Sequence, residues 1–170
     1  MDGIQEGDRL FLSLRNQFKA LNFSIIGSII MVIALYFLNF NPDAIRIFGI
    51  FWMVITLPAL YLHFEYWIEN RRKSIQIESD KLILTQGNKS VIYKITNIEK
   101  VILYKSASLD KGGIPLSPIE SYHYVRIIMK SQDELIITCL LAPKVEEVVN
   151  LLKGVKYERR KRPFCTIMWF

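Results

Sequence analysis

The chain has 170 residues, a formal net charge of +6 and 51% hydrophobic residues. This length allows one soluble domain of about 100 residues beside any membrane part. The two cysteines, Cys139 and Cys165, stand at neither metal-ligand nor Cys-x-x-Cys spacing, which argues against a zinc or dithiol site and favours a reduced compartment. Cys139 lies in an apolar alternating segment, where we expect it to pack as a small hydrophobe.

Two long apolar runs follow a polar N-terminal segment of residues 1–20. They predict helices over about 21–40 and 47–67, and each approaches the roughly 20 apolar residues that cross a bilayer. Neither run has a polar stripe, so each helix is apolar all round. The sequence therefore predicts a transmembrane hairpin over residues 21–67. A buried pair in a soluble domain is disfavoured because the remaining core is too small, and a signal peptide because no small-residue cleavage site follows the first run.

The charges that flank the runs predict the orientation of the hairpin. Cations stand before the first helix and after the second, whereas the linker offers Arg46 offset by Asp43. Because positive charge stays on the cytoplasmic side, we expect both termini to be cytoplasmic, in the inner (plasma) membrane. The flanking cations are Arg9, Arg15 and Lys19, then Arg71, Arg72 and Lys73.

A few residues within the hairpin carry further expectations. Gly27 and Ser28 are small enough to let the first helix pack closely against the second. Glu65 and Glu69 lie beyond the apolar core and are predicted to be solvated. His63 is interpreted as an interfacial residue near the headgroups, in preference to a proton relay.

From Ser74 onward apolar residues alternate with polar ones. This period of two predicts antiparallel strands with one buried face, separated by turns. A helix follows, with Pro143 in its first position and Gly154 as its stop. We expect a curved sheet or partly open barrel, capped by this helix, in a domain over residues 71–154.

Two stretches carry a resemblance to a known family. They read SIQIESDKLILTQGNKSVIYKITNIEKVILYKS and YVRIIMKSQDELIITCLLAPKVEEVVNLLKG. Strand pairs that end in one helix, directly after two membrane helices, resemble the bacterial pleckstrin-homology-like membrane proteins over roughly residues 60–154. The resemblance implies an α+β membrane protein in which a two-helix transmembrane hairpin precedes a PH-like antiparallel β-barrel or sandwich, capped by one C-terminal α-helix.

The same resemblance implies lipids, peptides or other proteins as partners. Eukaryotic lipid-binding members use a basic cluster in the first turn between strands, but here that turn, residues 78–81, is mostly acidic. Phosphoinositide binding at that turn is therefore not expected.

Catalytic motifs are absent from the sequence, which contains no HExxH, GxSxG or phosphate-binding GxxxxGK[ST] pattern. We interpret His123 as a structural or surface residue. The loop over residues 106–121 is long enough to hold a partner-binding surface. We expect a protein that is not an enzyme and needs no cofactor or metal.

The C-terminal part is basic, with 18 Lys and Arg against 10 Asp and Glu in residues 71–170. Each cation near an anionic leaflet is worth about 1 kcal/mol, so residues 155–170 predict a basic and aromatic tail that contacts lipid. An extra edge strand and a disordered tail are the alternatives. The candidate membrane-surface residues are Arg71, Arg72, Lys73, Arg159, Arg160, Lys161, Arg162, Trp169 and Phe170.

These features predict a non-enzymatic integral membrane protein that presents a cytoplasmic PH-like domain. Its partners would be another protein, a copy of itself or anionic lipid headgroups, and tethering to a membrane disfavours nucleic acid. The alternative is an immunity or resistance protein that protects against a membrane- or envelope-acting toxin. A membrane enzyme or transporter would need ionisable groups in the membrane core, and within residues 21–62 these are Asp43 and Arg46 of the linker.

Overall fold

The computed structural model describes residues 4–113, 115, 117–152 and 154–168. Two of the candidate surface residues, Trp169 and Phe170, lie outside the described residues. Short 3-10 helices span Ile95–Asn97 and Pro118–Ser121. The other elements, in chain order, are β1 (Arg9–Phe11), α1 (Leu14–Phe37), α2 (Pro42–Asn70), β2 (Lys73–Ile77), β3 (Lys81–Gln86), β4 (Lys89–Lys94), β5 (Ile98–Lys105), α3 (Ala107–Asp110), β6 (Tyr124–Met129), β7 (Glu134–Thr138), α4 (Val145–Leu151) and β8 (Lys156–Lys161).

The two long helices predicted from the apolar runs are present, and both start earlier than predicted. Ser13 caps α1, because its hydroxyl accepts the Asn16 amide at 3.2 Å. Asn41 caps α2 by accepting the Asp43 amide at 2.9 Å. Pro42 occupies the first position of α2, where its missing N–H would have had no helical partner. The caps extend each helix beyond its apolar run into polar sequence.

The two helices pack closely at Gly27, as the sequence predicted. A Cβ on Gly27 would overlap the ring of Trp52, so the absent side chain makes room for the indole. The Trp52 ring nitrogen donates to the Ser28 hydroxyl at 3.1 Å. Ser28 in turn donates to the carbonyl of Ser24 at 2.9 Å. This contact fixes α1 against α2 and satisfies the indole N–H within an apolar pair.

Most of the surface of the hairpin is left uncovered by the rest of the chain. In an 18-residue apolar window, 17% of α1 and 11% of α2 is buried. Both helices are long and apolar enough to cross a membrane by length and composition. Large apolar side chains are exposed along both, among them Ile29, Ile33, Phe37, Phe51 and Val54.

The first sheet is antiparallel, in the order β1-β2-β3-β4. Leu10 of β1 pairs with Ile75 of β2, and both side chains are buried in the core. Because β1 precedes the hairpin and β2 follows it, the hairpin is an insertion between two neighbouring strands of one sheet. The N-terminal segment thus contributes a strand to the domain in addition to leading into α1.

The second sheet is mixed, in the order β7-β6-β5-β8. Three strands are antiparallel as expected, but β8 runs parallel to β5, with Val101 in register with Tyr157. The helix α4, predicted over residues 143–153, spans Val145–Leu151 and provides the crossover that a parallel strand requires. The purely antiparallel arrangement expected from the sequence is therefore corrected at β8.

The resemblance implied a barrel or a sandwich, and no closed barrel is found in the described part of the chain. The two four-stranded sheets instead face each other as two layers. Their facing side chains and those of α4 form one core; it includes Leu82, Leu103, Val125, Ile137 and Val148.

A second buried cluster joins the outer face of the second sheet to the first turns of α1 and the last turns of α2, which we call the feet of the helices. It contains Ala20 of α1, Leu62 and Tyr66 of α2, and Tyr104 and Tyr124 of the sheet. The domain is therefore packed directly against the first turns of α1 and the last turns of α2, without a linker between them.

Candidate functional site

The basic group that follows α2 makes a tight connection into β2. The guanidinium of Arg71 lies 5.5 Å from the centre of the Trp67 ring, within range of a cation–π contact. Arg72 has a φ of 65°, and its carbonyl accepts the Gly87 amide at 3.0 Å. Lys73 forms an ion pair with Glu69. Arg71 and Arg72 stay exposed at the foot of α2, whereas Lys73 has a carboxylate partner.

Arg72 and Lys73 also line an open depression of about 590 Å³ next to β1. Arg9 and Phe11 line its other side. Arg9 is fixed there because its Nε donates to the Ser74 hydroxyl at 3.0 Å. The structure thus adds Arg9 to the predicted cations at this place.

The tail cations are divided between the two faces of the second sheet. Residues 156–161 form β8, which supports the edge-strand alternative for this part of the tail. Arg160 is in register with Tyr104, whereas Arg159 is in register with Leu103. Because side chains alternate along a strand, Arg160 lies on the helix-facing side, and Arg159 and Lys161 lie on the opposite side.

Arg159 and Lys161 share one carboxylate. Asp110, the last residue of α3, lies 3.8 Å from the Arg159 guanidinium and 3.1 Å from the Lys161 ammonium. These pairs hold two of the four predicted cations at the edge of the core side, away from the helix-facing side.

Three arginines converge on one tyrosine on the helix-facing side. The guanidinium carbons of Arg126, Arg160 and Arg162 lie 6.0, 6.0 and 4.9 Å from the centre of the Tyr104 ring. The buried Tyr104 ring is itself stacked on Tyr124 at 4.7 Å. The negative face of an aromatic ring attracts cations, which gathers three positive charges beside the helix feet.

Two carboxylates partly neutralise this arginine cluster. Glu134 lies 3.1 Å from Arg126, and Glu158 lies 3.2 Å from Arg160. Arg126 was not among the predicted residues, although a lone charge within the apolar strand YVRIIM was a signal that could have found it.

The described C-terminal residues that follow β8 return to α2 and dock on Glu65. One carboxylate oxygen of Glu65 accepts the Thr166 hydroxyl at 2.7 Å, the Ile167 amide at 2.9 Å and the Met168 amide at 2.7 Å. Glu65 is 3% exposed, so the expectation that it is solvated is wrong. Its donors come from the far end of the chain and could not be anticipated from the helix sequence.

Neighbouring contacts extend this docking along α2. The Tyr66 hydroxyl donates to the Cys165 carbonyl at 2.6 Å. Phe164 stacks on Tyr61 with ring centres 6.2 Å apart. The segment 163–168 is therefore packed against the last turns of α2 and leads toward the helix pair.

The two buried thiols and His123 are packed inside the domain. Burial raises the pKa of both the Cys139 and the Cys165 thiol to about 12, so both remain protonated. For Cys139 this matches the predicted packing as a small hydrophobe. Burial lowers the pKa of His123, whose ring nitrogens face the carbonyls of Ser121 and Pro143 at 3.0 and 3.3 Å.

The loop over residues 106–121 also packs against the helix feet. Its 3-10 helix at Pro118–Ser121 contacts both α1 and α2. Just after it, the Tyr122 hydroxyl lies 3.1 Å from Nδ1 of His63. His63 thus faces a protein hydroxyl within the foot of the hairpin.

Comparison with known families assigns this fold. A family model described as a PH domain matches residues 11–146. The chain belongs to this PH domain family. The match to the PH domain model begins in β1, runs through both long helices and ends in α4, so the family pattern includes the inserted hairpin. No curated protein matches the chain, and no solved structure matches it either.

Membership of the PH domain family supports a module for protein interaction or lipid binding. In this PH domain the predicted basic residues form separate groups: Arg71–Lys73 lead into β2 of the first sheet, and Arg159–Arg162 lie at the edge of the second. On the helix-facing side, Arg160, Arg162 and Arg126 come together.

Proposed function

We propose that this protein is a membrane-anchored, non-enzymatic interaction module. In this proposal α1 and α2 cross the plasma membrane, and the PH domain lies against its cytoplasmic surface. Anionic lipid headgroups then contact Arg71 and Arg72 at the foot of α2, and Arg160 and Arg162 on the helix-facing side of the second sheet.

The proposal depends on a contrast between the packed feet of the two helices and their uncovered apolar middle turns, which we call the shafts. The feet are packed in the aromatic cluster around Tyr66, Tyr104 and Tyr124, whereas the shafts are largely uncovered. A helix that is apolar all round is either buried in a core or faces lipid. The core helix of a soluble protein would be mostly buried, so the low burial of both shafts favours lipid.

The charge at the feet supports the cytoplasmic orientation. Strand β1 before the hairpin and strand β2 after it pair with each other, so both flanks of the hairpin leave it on the same side. That side carries the cations Arg15, Lys19, Arg71 and Arg72, and positive charge is retained on the cytoplasmic side of membranes.

Membrane extraction of the full chain tests the anchor. We expect the protein to stay in the membrane pellet at alkaline pH, with reporters at either end accessible from the cytoplasm. Ile29→Arg with Ile33→Arg would place two charges on the lipid-facing shaft, each costing about 2.5–3.5 kcal/mol at a helix centre, and should release the chain. Recovery of the unaltered chain in the soluble fraction would contradict the proposal.

A matched control separates insertion from general damage by charge. Val91 and Ile92 of β4 are exposed to a degree similar to that of the two shaft residues. We expect Val91→Arg with Ile92→Arg to leave membrane retention unchanged, because these residues lie in the last strand of the first sheet and not in either helix.

A protein partner is the second candidate, favoured by the edge of the first sheet. Strand β4 is the last strand of that sheet, and both Val91 and Ile92 are exposed on it. An exposed edge with apolar side chains can pair with an added strand. Crosslinking from a photoreactive residue at position 92 in native membranes would test it, with the same residue at Gly87, in the turn before β4, as control.

A further inference from the structure

A cavity lies at the foot of α1. It has a volume of about 300 Å³ and lies between the first turns of α1 and the segment that leads into α4. Three cations line it: Arg15, Lys19 and Lys144. We refer to it as the α1-foot cavity.

Among the described residues that line the α1-foot cavity, three cations face one carboxylate. That carboxylate belongs to Glu147, and it accepts the Ile4 amide at 2.7 Å and the Lys144 ammonium at 3.0 Å. These contacts lower the pKa of Glu147 and keep it ionised. Within the described part of the chain, Arg15 and Lys19 form no ion pair, so two cations remain available to an added anion.

Arg15 and Lys19 are arranged to act on one group. Four residues apart on a helix, they lie on the same face. Between them in sequence, Asn16 is fixed to the domain, because its amide donates to the carbonyls of Leu140 and Leu141 at 3.1 and 3.2 Å. This anchoring keeps the face with both cations directed into the cavity.

The cavity continues toward the apolar shaft of α1. A neighbouring depression is lined by Arg15, Phe18, Lys19 and Asn22. The ring of Phe18 is 63% exposed beside the two cations. An anionic site that opens onto an exposed apolar side chain, one turn before the shaft, matches a molecule with a charged head and an apolar tail.

We propose that the α1-foot cavity binds the phosphate headgroup of an anionic membrane lipid. Arg15 and Lys19 contact the phosphate, Lys144 closes the site from the α4 side, and an acyl chain runs past Phe18 along α1. This site rests on the proposed membrane anchoring, which would hold the cavity at the depth of the headgroups. A free inorganic phosphate shares the head chemistry but would leave Phe18 without an apolar partner.

Native mass spectrometry of the full chain released from nanodiscs tests the site. The nanodiscs would contain phosphatidylcholine with or without phosphatidylglycerol. We expect the unaltered protein to retain phosphatidylglycerol, and Arg15→Gln with Lys19→Gln to lose it by about tenfold to thirtyfold, since each cation near an anionic leaflet is worth about 1 kcal/mol. Arg159→Gln with Lys161→Gln removes the same charge at the Asp110 pairs and should stay within about twofold of the unaltered protein.

The outcomes distinguish lipid binding at this site from general electrostatic attraction between the basic protein and anionic lipid. Equal loss in both double variants would mean a diffuse charge effect, and unchanged retention in the Arg15 and Lys19 variant would mean no site there; either result overturns the proposal. Displacement of phosphatidylglycerol by millimolar inorganic phosphate at equal potency would assign the cavity to free phosphate instead.

A second measurement on the unaltered protein does not depend on the variants folding. A photoactivatable phosphatidylglycerol analogue should label the peptide that contains residues 15–22. Labelling confined to peptides with residues 71–73 or 159–162 would overturn the site. Failure of the membrane anchor would be seen separately, as a chain that does not enter nanodiscs at all.

Discussion

The hydroxyl of Thr166 donates to the carboxylate of Glu65 at 2.7 Å, across 101 residues of chain. The same carboxylate oxygen accepts the next two backbone amides, so one side chain at the foot of α2 receives three donors. Because Glu65 is buried, these donors replace the water that a carboxylate would otherwise bind. The contact joins the end of the chain to the end of the hairpin.

Replacing Glu65 should therefore release the C-terminal segment. In Glu65→Ala the Thr166 hydroxyl and two amides lose their acceptor, at a cost of about 1–3 kcal/mol for each group left buried without a partner. We expect faster removal of residues 163–168 by carboxypeptidase and a lower melting temperature in detergent. Glu69→Ala, which removes a partly exposed partner of Lys73, is the control and should show neither effect strongly. Equal protease resistance of Glu65→Ala and the unaltered chain would contradict this.

Two glycines in the helix pair should respond oppositely to alanine. At Gly27 a Cβ would overlap the Trp52 ring, so Gly27→Ala must displace the indole and should lower the melting temperature. At Gly49 a Cβ would meet open space, so Gly49→Ala should be neutral or raise stability by about 0.5–1 kcal/mol through helix propensity. Thermal unfolding of the full chain in detergent measures both. A Gly27→Ala loss that Trp52→Leu does not relieve would point away from this contact.

Stability should fall as pH drops below about 6.5 because of His123. Burial lowers its folded pKa below the ordinary value of 6.5, while the unfolded chain keeps that ordinary value. The unfolded state then binds more protons between the two pKa values, so stability is full above 6.5 and declines as pH falls. Nearby Glu146 favours the charged form and Lys105 opposes it, but neither outweighs burial.

The comparison that isolates this effect is His123→Asn. Its unfolding free energy between pH 7 and pH 5 should depend less on pH than that of the unaltered chain. Burial would raise the pKa of Glu146, but the hydrogen bond from Lys105 lowers it below its ordinary 4.5, so its own contribution is lost mainly below this window. Parallel pH profiles for the two proteins would exclude His123 as the cause.

The tail cations should divide by sheet face in their effect on lipid binding. Arg160 and Arg162 lie on the helix-facing side around Tyr104, whereas Arg159 and Lys161 pair with Asp110 on the other. Neutralising the first pair to Gln should weaken binding of detergent-solubilised protein to anionic bicelles by about tenfold to thirtyfold, since each cation is worth about 1 kcal/mol. Neutralising the second pair should have an effect of less than about threefold. The reverse order would contradict the assignment of faces.

The sequence predicted what local periodicity encodes. The uniformly apolar runs predicted the two helices, and the alternation of apolar and polar residues predicted the strands of the domain. The small residues Gly27 and Ser28 predicted the close packing of the helix pair. The resemblance of those strands to a PH domain was confirmed by the match over residues 11–146. The bacterial origin, the crossing of the membrane, the lipid contact of the basic residues, the cytoplasmic orientation and the toxin-immunity alternative remain predictions.

The features that the sequence did not predict depend on pairing between segments far apart in the chain. Strand β1 is three residues long, and its partner β2 follows the hairpin in the chain. No local sequence pattern therefore predicts this strand. The parallel pairing of β8 with β5 depends on the α4 crossover. The burial of Glu65 depends on donors from residues 166–168. In each case a segment gains its structure from a partner far along the chain.

The insertion of the hairpin between β1 and β2 also dictates the order in which the protein can be assembled. During synthesis β1 emerges first, and it stays unpaired until both helices have been made and β2 has followed them. Arg9 and Ser74, which meet through a hydrogen bond, are 65 residues apart. Closing so long a loop costs entropy that folding of the helix pair would reduce. A fragment that starts at Lys73 would lack β1, lose Leu10 from its core and expose β2 as a new unpaired edge, so we expect the hairpin and the domain to fold as one unit.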